Sequence, residues 1–71
     1  MGLANLVADG LASARDSVGM TQSRLAEETG IYQADISKIE RGLANPSILT
    51  LQRLADGMDM EILIEFVPKR R

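Results

Sequence analysis

The chain has 71 residues, 45% hydrophobic and 25% charged, with 8 Lys+Arg against 10 Asp+Glu and a formal charge of −2. This is the composition of one small globular domain whose core is marginal alone, so self-association is expected. The absence of Cys and His excludes a disulfide framework, a zinc site, a thiol nucleophile and an imidazole acid or base, and the acidic balance argues at first sight against a nucleic-acid partner.

No run of eighteen apolar residues is present, so no membrane span is expected. The opening Met1-Gly2-Leu3-Ala4-Asn5-Leu6 has no basic residue before it and Asp9 interrupts its apolar run, which argues against a secretory signal. Leu6 stands where a myristoylation motif needs Ser or Thr. A cytoplasmic protein is the expectation.

Leu3, Leu6, Val7, Leu11, Ala14 and Val18 recur at spacings of three and four and predict an amphipathic first helix ended by Gly19. Gly10 within it costs about 1 kcal/mol relative to Ala. Thr21 is placed as the N-cap of a second helix over residues 22–29, and Gly30 supplies the positive φ for a sharp turn. A third helix is expected over residues 33–41, closed by Gly42. Asn45-Pro46-Ser47 opens a fourth over residues 48–56, with Ile48, Leu51 and Leu54 on one face and Gly57 closing it. Residues 61–67 then change period. They are β-branched and apolar, place Ile62, Ile64 and Phe66 on one face, and stop at Pro68, which predicts a strand. The expected division is a helical body over 1–58 and a dimerisation strand with a basic tail over 59–71.

The stretch 20–42 carries the chemistry. Two short helices joined by a glycine turn cross steeply, Ala26 lets their backbones approach, and Ile31, Ile36 and Ile39 fill the angle between them. This is a helix-turn-helix arrangement. The opposite face of the third helix presents Gln33, Ala34, Ser37, Lys38 and Arg41, small or hydrogen-bonding side chains of the kind that read a major groove.

Residues 20–57 resemble the lambda-repressor-like, XRE-family helix-turn-helix domain. The matching elements are Met20-Thr21-Gln22, Leu25-Ala26, Gly30-Ile31, Asp35-Ile36-Ser37-Lys38-Ile39-Glu40-Arg41-Gly42, Asn45-Pro46-Ser47 and Thr50-Leu51-Gln52-Arg53-Leu54-Ala55. The resemblance implies a mostly α fold of four to five helices. It also implies that Gln22 contacts a DNA phosphate and steadies the first recognition residue. By the same resemblance Gln33, Ala34, Ser37 and Lys38 face base edges, Arg41 reaches the backbone, and Arg15 with Glu40 ties the first helix to the third. Tyr32 stands where many members carry a Ser or Thr cap, so no side-chain cap is expected and Tyr32 is read as a phosphate contact.

On chemistry alone, Gln33 can bond adenine N6 and N7 together, a contact worth roughly 1–3 kcal/mol of discrimination. Lys38 either reads guanine O6/N7 or neutralises a phosphate. Asp35 near a helix start is read as a dipole partner. Glu27-Glu28 and the Asp56, Asp59, Glu61 group are read as solvated surface, because no nucleophile–base pair accompanies them. Neither an enzyme nor a cofactor is expected. Met20, Met58 and Met60 at helix borders are read as core filler.

A strand appended to four helices has nothing in its own chain to pair with, and an apolar edge of that kind serves association. The expectation is an antiparallel ribbon of Ile62, Ile64 and Phe66 with a second protomer. Augmentation of another partner, or an arm folded back on its own helices, remains open. A twofold dimer would set two recognition helices roughly 34 Å apart on a palindromic site. The layout of domain, strand and Val67-Pro68-Lys69 also resembles HigA/HipB-type antitoxins, which implies autorepression and a toxin partner. The sequence thus reads as a homodimeric, sequence-specific repressor of double-stranded DNA; the alternative is a protein-interaction module with residual DNA binding. Residues 31–55 carry +3 and −2, whereas 1–30 carry +2 and −4 and 56–71 carry +3 and −4. The recognition segment is therefore the only net-positive one, and the acidic total does not exclude a local phosphate-binding face.

Overall fold

Four helices follow one another in the computed structural model, which describes residues 2–70: α1 (Leu3–Ser17), α2 (Gln22–Thr29), α3 (Gln33–Glu40) and α4 (Ile48–Gly57). Met1 and Arg71, the two ends of the expected division, lie outside the described residues. α1 packs on α3, and α2 packs on both α3 and α4. No helix among the described residues is long and apolar enough to cross a membrane.

The helix starts follow from capping chemistry. The Thr21 hydroxyl accepts from the Arg24 N–H at 3.0 Å, and the Ser47 hydroxyl accepts from the Thr50 N–H at 3.1 Å. Each satisfies one amide that the first helical turn leaves without a partner, a contribution of about 1 kcal/mol. Tyr32 precedes α3 with extended backbone and no side-chain cap. The turn from α2 to α3 rests on Gly30, whose φ of 74° is left-handed and whose N–H closes on the Ala26 carbonyl.

Leu25, Ile36 and Leu54 are fully buried and lock α2, α3 and α4 together, with Leu11, Ile39 and Met58 completing the core. Burying each large aliphatic side chain contributes roughly 1.5–3 kcal/mol. Met20, Ala26, Ile31 and Met60 pack half-buried against this cluster. No polar or charged residue among those described is buried.

Four expectations are corrected. α3 ends at Glu40, and Arg41 is its C-cap rather than its last helical residue. Gly57 does not terminate α4 by turning; it is the last helical residue, Met58 is the C-cap, and the left-handed residue is Asp59 at φ 56°. A Cβ on Gly57 would stand 2.5 Å from Thr29 Cγ2 and 3.3 Å from Leu25 Cδ1, so glycine is needed for close approach to α2. The apolar stripe of α1 is buried only in part: Leu11 is buried, but Leu3 is 80% and Leu6 54% exposed. Finally, there is no β-strand among the described residues, and residues 61–67 run without regular structure. A strand needs a ladder, and four helices offer no edge on which to build one.

Candidate nucleic-acid interface

α3 owes its position to its inner side. Ile36 and Ile39 are buried against the core, so the opposite side of the helix is turned outward. Gln33, Ala34, Lys38 and Arg41 are exposed and Ser37 is half-buried, placing on one outward surface the side chains that the sequence singled out. Tyr32, 80% exposed, stands at its N-terminal end. Arg41 Nε reaches the Ser37 carbonyl at 3.4 Å, a long contact that leaves most of the guanidinium free. Asp35 lies in the first turn, where a carboxylate favours the helix dipole. An open depression of about 400 Å³ adjoins this face, lined by Tyr32, Asp35, Lys38, Asn45, Pro46 and Arg53.

Behind the face lies an ionic network. Arg15 donates twice to Glu40, Nε to Oε2 at 2.7 Å and Nη2 to Oε1 at 2.9 Å, while its Nη1 donates to the Met20 carbonyl at 2.9 Å. The fork therefore ties α1 both to α3 and to the turn before α2. The Arg15 hydrogen bonds hold the Glu40 carboxyl below its usual range and, together with the Gln22 bond, outweigh the opposing effect of burial. Arg15 is in turn held above its ordinary value, first of all by the same pairing.

The two glutamines at the helix starts are not hydrogen-bonded to each other. Gln22 Nε2 donates to Glu40 Oε1 at 3.0 Å, and Gln33 Oε1 accepts instead from the Ser23 hydroxyl at 3.0 Å. Gln22 thus braces the ion pair, and the steadying of Gln33 expected from Gln22 falls to Ser23. Sequence reasoning missed Ser23; the only signal was a hydroxyl residue in the first turn of α2, across the glycine turn from the first residue of α3. It also missed Arg53, whose Nη2 donates to the Thr29 carbonyl at 2.8 Å and satisfies the C-terminal end of α2 from α4.

The residues expected to pair two protomers lie elsewhere. Ile64 is 55% and Phe66 99% exposed, and Ile62 is half-buried. They flank an apolar groove of about 900 Å³ between α1, α4 and residues 60–66. The exposed Leu3 and Ile48 line the same groove.

Two short helices joined by a left-handed glycine, the second seated by aliphatics and outwardly polar, define a helix-turn-helix protein of lambda-repressor-like architecture. The chain belongs to the XRE-type helix-turn-helix family HTH_3, whose pattern matches residues 11–63. It is 36% identical over 58 residues to the HTH-type transcriptional regulator SutR of Escherichia coli, covering 82% of this chain and 33% of that one. It is 34% identical over 58 residues to the HTH-type regulator y4dJ of Sinorhizobium fredii, covering 82% and 75%. The chain spans about a third of the length of SutR. Among solved structures, an HTH_3 family transcriptional regulator from Vibrio cholerae superposes with a TM-score of 0.79 at 33% identity, over 82% of this chain and 33% of that one. The restriction-modification controller protein C.Esp1396I, as a tetramer in complex with its natural 35 base-pair operator, gives 0.81 at 30% identity, over 86% and 80%.

Proposed function

We propose that this protein is a sequence-specific regulator of transcription, a repressor that binds a palindromic operator in double-stranded DNA as a homodimer. The observation that carries the reading is the outward row of Gln33, Ala34, Ser37 and Lys38 on a helix whose other side is anchored in the core. Gln33, Ala34, Ser37 and Lys38 contact base edges. Gln22, Tyr32 and Arg41 contact phosphates and set the register. The likeness to an operator-bound controller protein and to HTH-type regulators supports this reading. Residues 1–58 form the DNA-binding body and 59–71 the dimerisation arm. The apolar groove and the exposed arm beside it support association with a second copy through Ile62, Ile64 and Phe66, because contiguous exposed apolar surface marks an interface.

The layout resemblance to HigA/HipB-type antitoxins extends the proposal to a toxin partner, tested by co-purification with the product of an adjacent small gene. The decisive experiment is a gel shift of the purified protein on the DNA upstream of its own gene, across a salt series. A sequence-dependent shift that weakens with salt is expected, since phosphate contacts release counterions. Absence of any sequence-dependent shift at moderate salt would leave the protein-interaction module as the better reading.

A further inference from the structure

Gln33 is the first residue of α3, and its side-chain oxygen is held by a residue from a different helix: Ser23 Oγ donates to Gln33 Oε1 at 3.0 Å. Ser23 stands in the first turn of α2, which is fixed by the fully buried Leu25, and α3 is fixed by Ile36 and Ile39. The bond therefore spans the glycine turn between two anchored helices. Gln22, the other polar side chain at the start of α2, is engaged with Glu40 and does not serve Gln33.

We propose that Ser23 is a specificity-determining positioning residue, which orders the Gln33 carboxamide for base readout before DNA arrives. The proposal rests on the reading of Gln33 as a base contact. An exposed glutamine has several rotatable bonds, and freezing them on binding lowers affinity for the right base as much as for the wrong one. A bond already made in the free protein removes part of that loss only for the geometry it holds. Ser23 does this without consuming the groups that read the base. One lone pair of Oε1 and both Nε2 hydrogens stay free, enough for the two-bond contact with adenine N6 and N7.

The test begins with duplexes selected by the full chain from a random-sequence library. Dissociation constants at fixed salt are then measured for the selected duplex and its single-base variants with Ser23→Ala, Ser23→Thr, Gln33→Ala and the Ser23→Ala/Gln33→Ala double variant; circular dichroism melting checks that each folds. Gln33→Ala is expected to abolish preference at one base pair per half-site. Ser23→Ala is expected to lose about 3- to 10-fold of discrimination at that same pair, the scale of one hydrogen bond, and to keep preference elsewhere. Ser23→Thr, which retains the hydroxyl, restores it, and the double variant matches Gln33→Ala. If Ser23→Ala instead weakens all duplexes alike and adds to Gln33→Ala, Ser23 is a phosphate contact and the proposal fails alone. If Gln33→Ala leaves every preference intact, the base-contact reading falls and takes the proposal with it.

Discussion

Glu40 binds three groups from two other segments, and its protonation state reports whether they are in place. Arg15 supplies two hydrogen bonds and Gln22 a third. Because these bonds hold its carboxyl below the ordinary value near 4.5, folding favours the ionised form. The sign follows. Stability from this group is fully present above the ordinary carboxylate pKa and is lost as pH falls through the lowered value of the folded state. Thermal melting should therefore find Glu40→Gln less stable than the unmodified protein at pH 7, with the gap closing on acidification below about pH 4.5. A gap that stays constant with pH would mean that Glu40 ionisation is not coupled to folding. The presence of Arg15, Gln22 and Glu40 was legible in the sequence. That Gln22 donates to Glu40 was not, because it depends on where the end of α3 lies relative to the start of α2.

Among the elements, α2 and α4 show what a glycine signal can and cannot convey. Thr21 read correctly as an N-cap and Asn45-Pro46-Ser47 as the opening of α4, where the structure adds that the Ser47 hydroxyl is the cap. Gly57 read as a helix stop, yet it is a helical residue that lets α4 lie against Thr29 and Leu25. Both uses need glycine, and only the neighbour across the interface distinguishes them. Gly57→Ala thus inserts a methyl 2.5 Å from Thr29 Cγ2. It is expected to destabilise by about 1–3 kcal/mol in urea unfolding, although alanine is intrinsically the better helix former. A stabilised variant would show that the α2–α4 contact relaxes freely.

For the molecule as a whole, four helices leave apolar surface uncovered beside the groove between α1, α4 and residues 60–66. Leu3, Leu6, Ile48, Ile64 and Phe66 are each more than half exposed, and the 61–67 segment forms no strand within its own chain. The alternating pattern of that segment predicted a strand that the fold does not contain, because a strand is realised only against a partner edge. On the proposed dimer, Ile64→Lys places a charge at the centre of the ribbon. It should give a monomer by sedimentation, with operator binding weakened by more than 10-fold because two half-sites are no longer linked. A dimer persisting in that variant would refute pairing through Ile64.

The sequence by itself determined the order of the four helices, the Thr21 cap, the glycine turn and the polar face of α3, because each depends on residues within a turn or two of one another. It also showed that an acidic chain can carry a locally cationic segment, with +3 and −2 over residues 31–55. Only the tertiary structure decided that Gln22 serves Glu40, that Ser23 serves Gln33, that Gly57 is a contact rather than a stop, and that α1 leaves half its stripe uncovered. These outcomes depend on which atoms from distant segments come within a hydrogen bond or a methyl radius of each other, and periodicity along the chain carries no information about that.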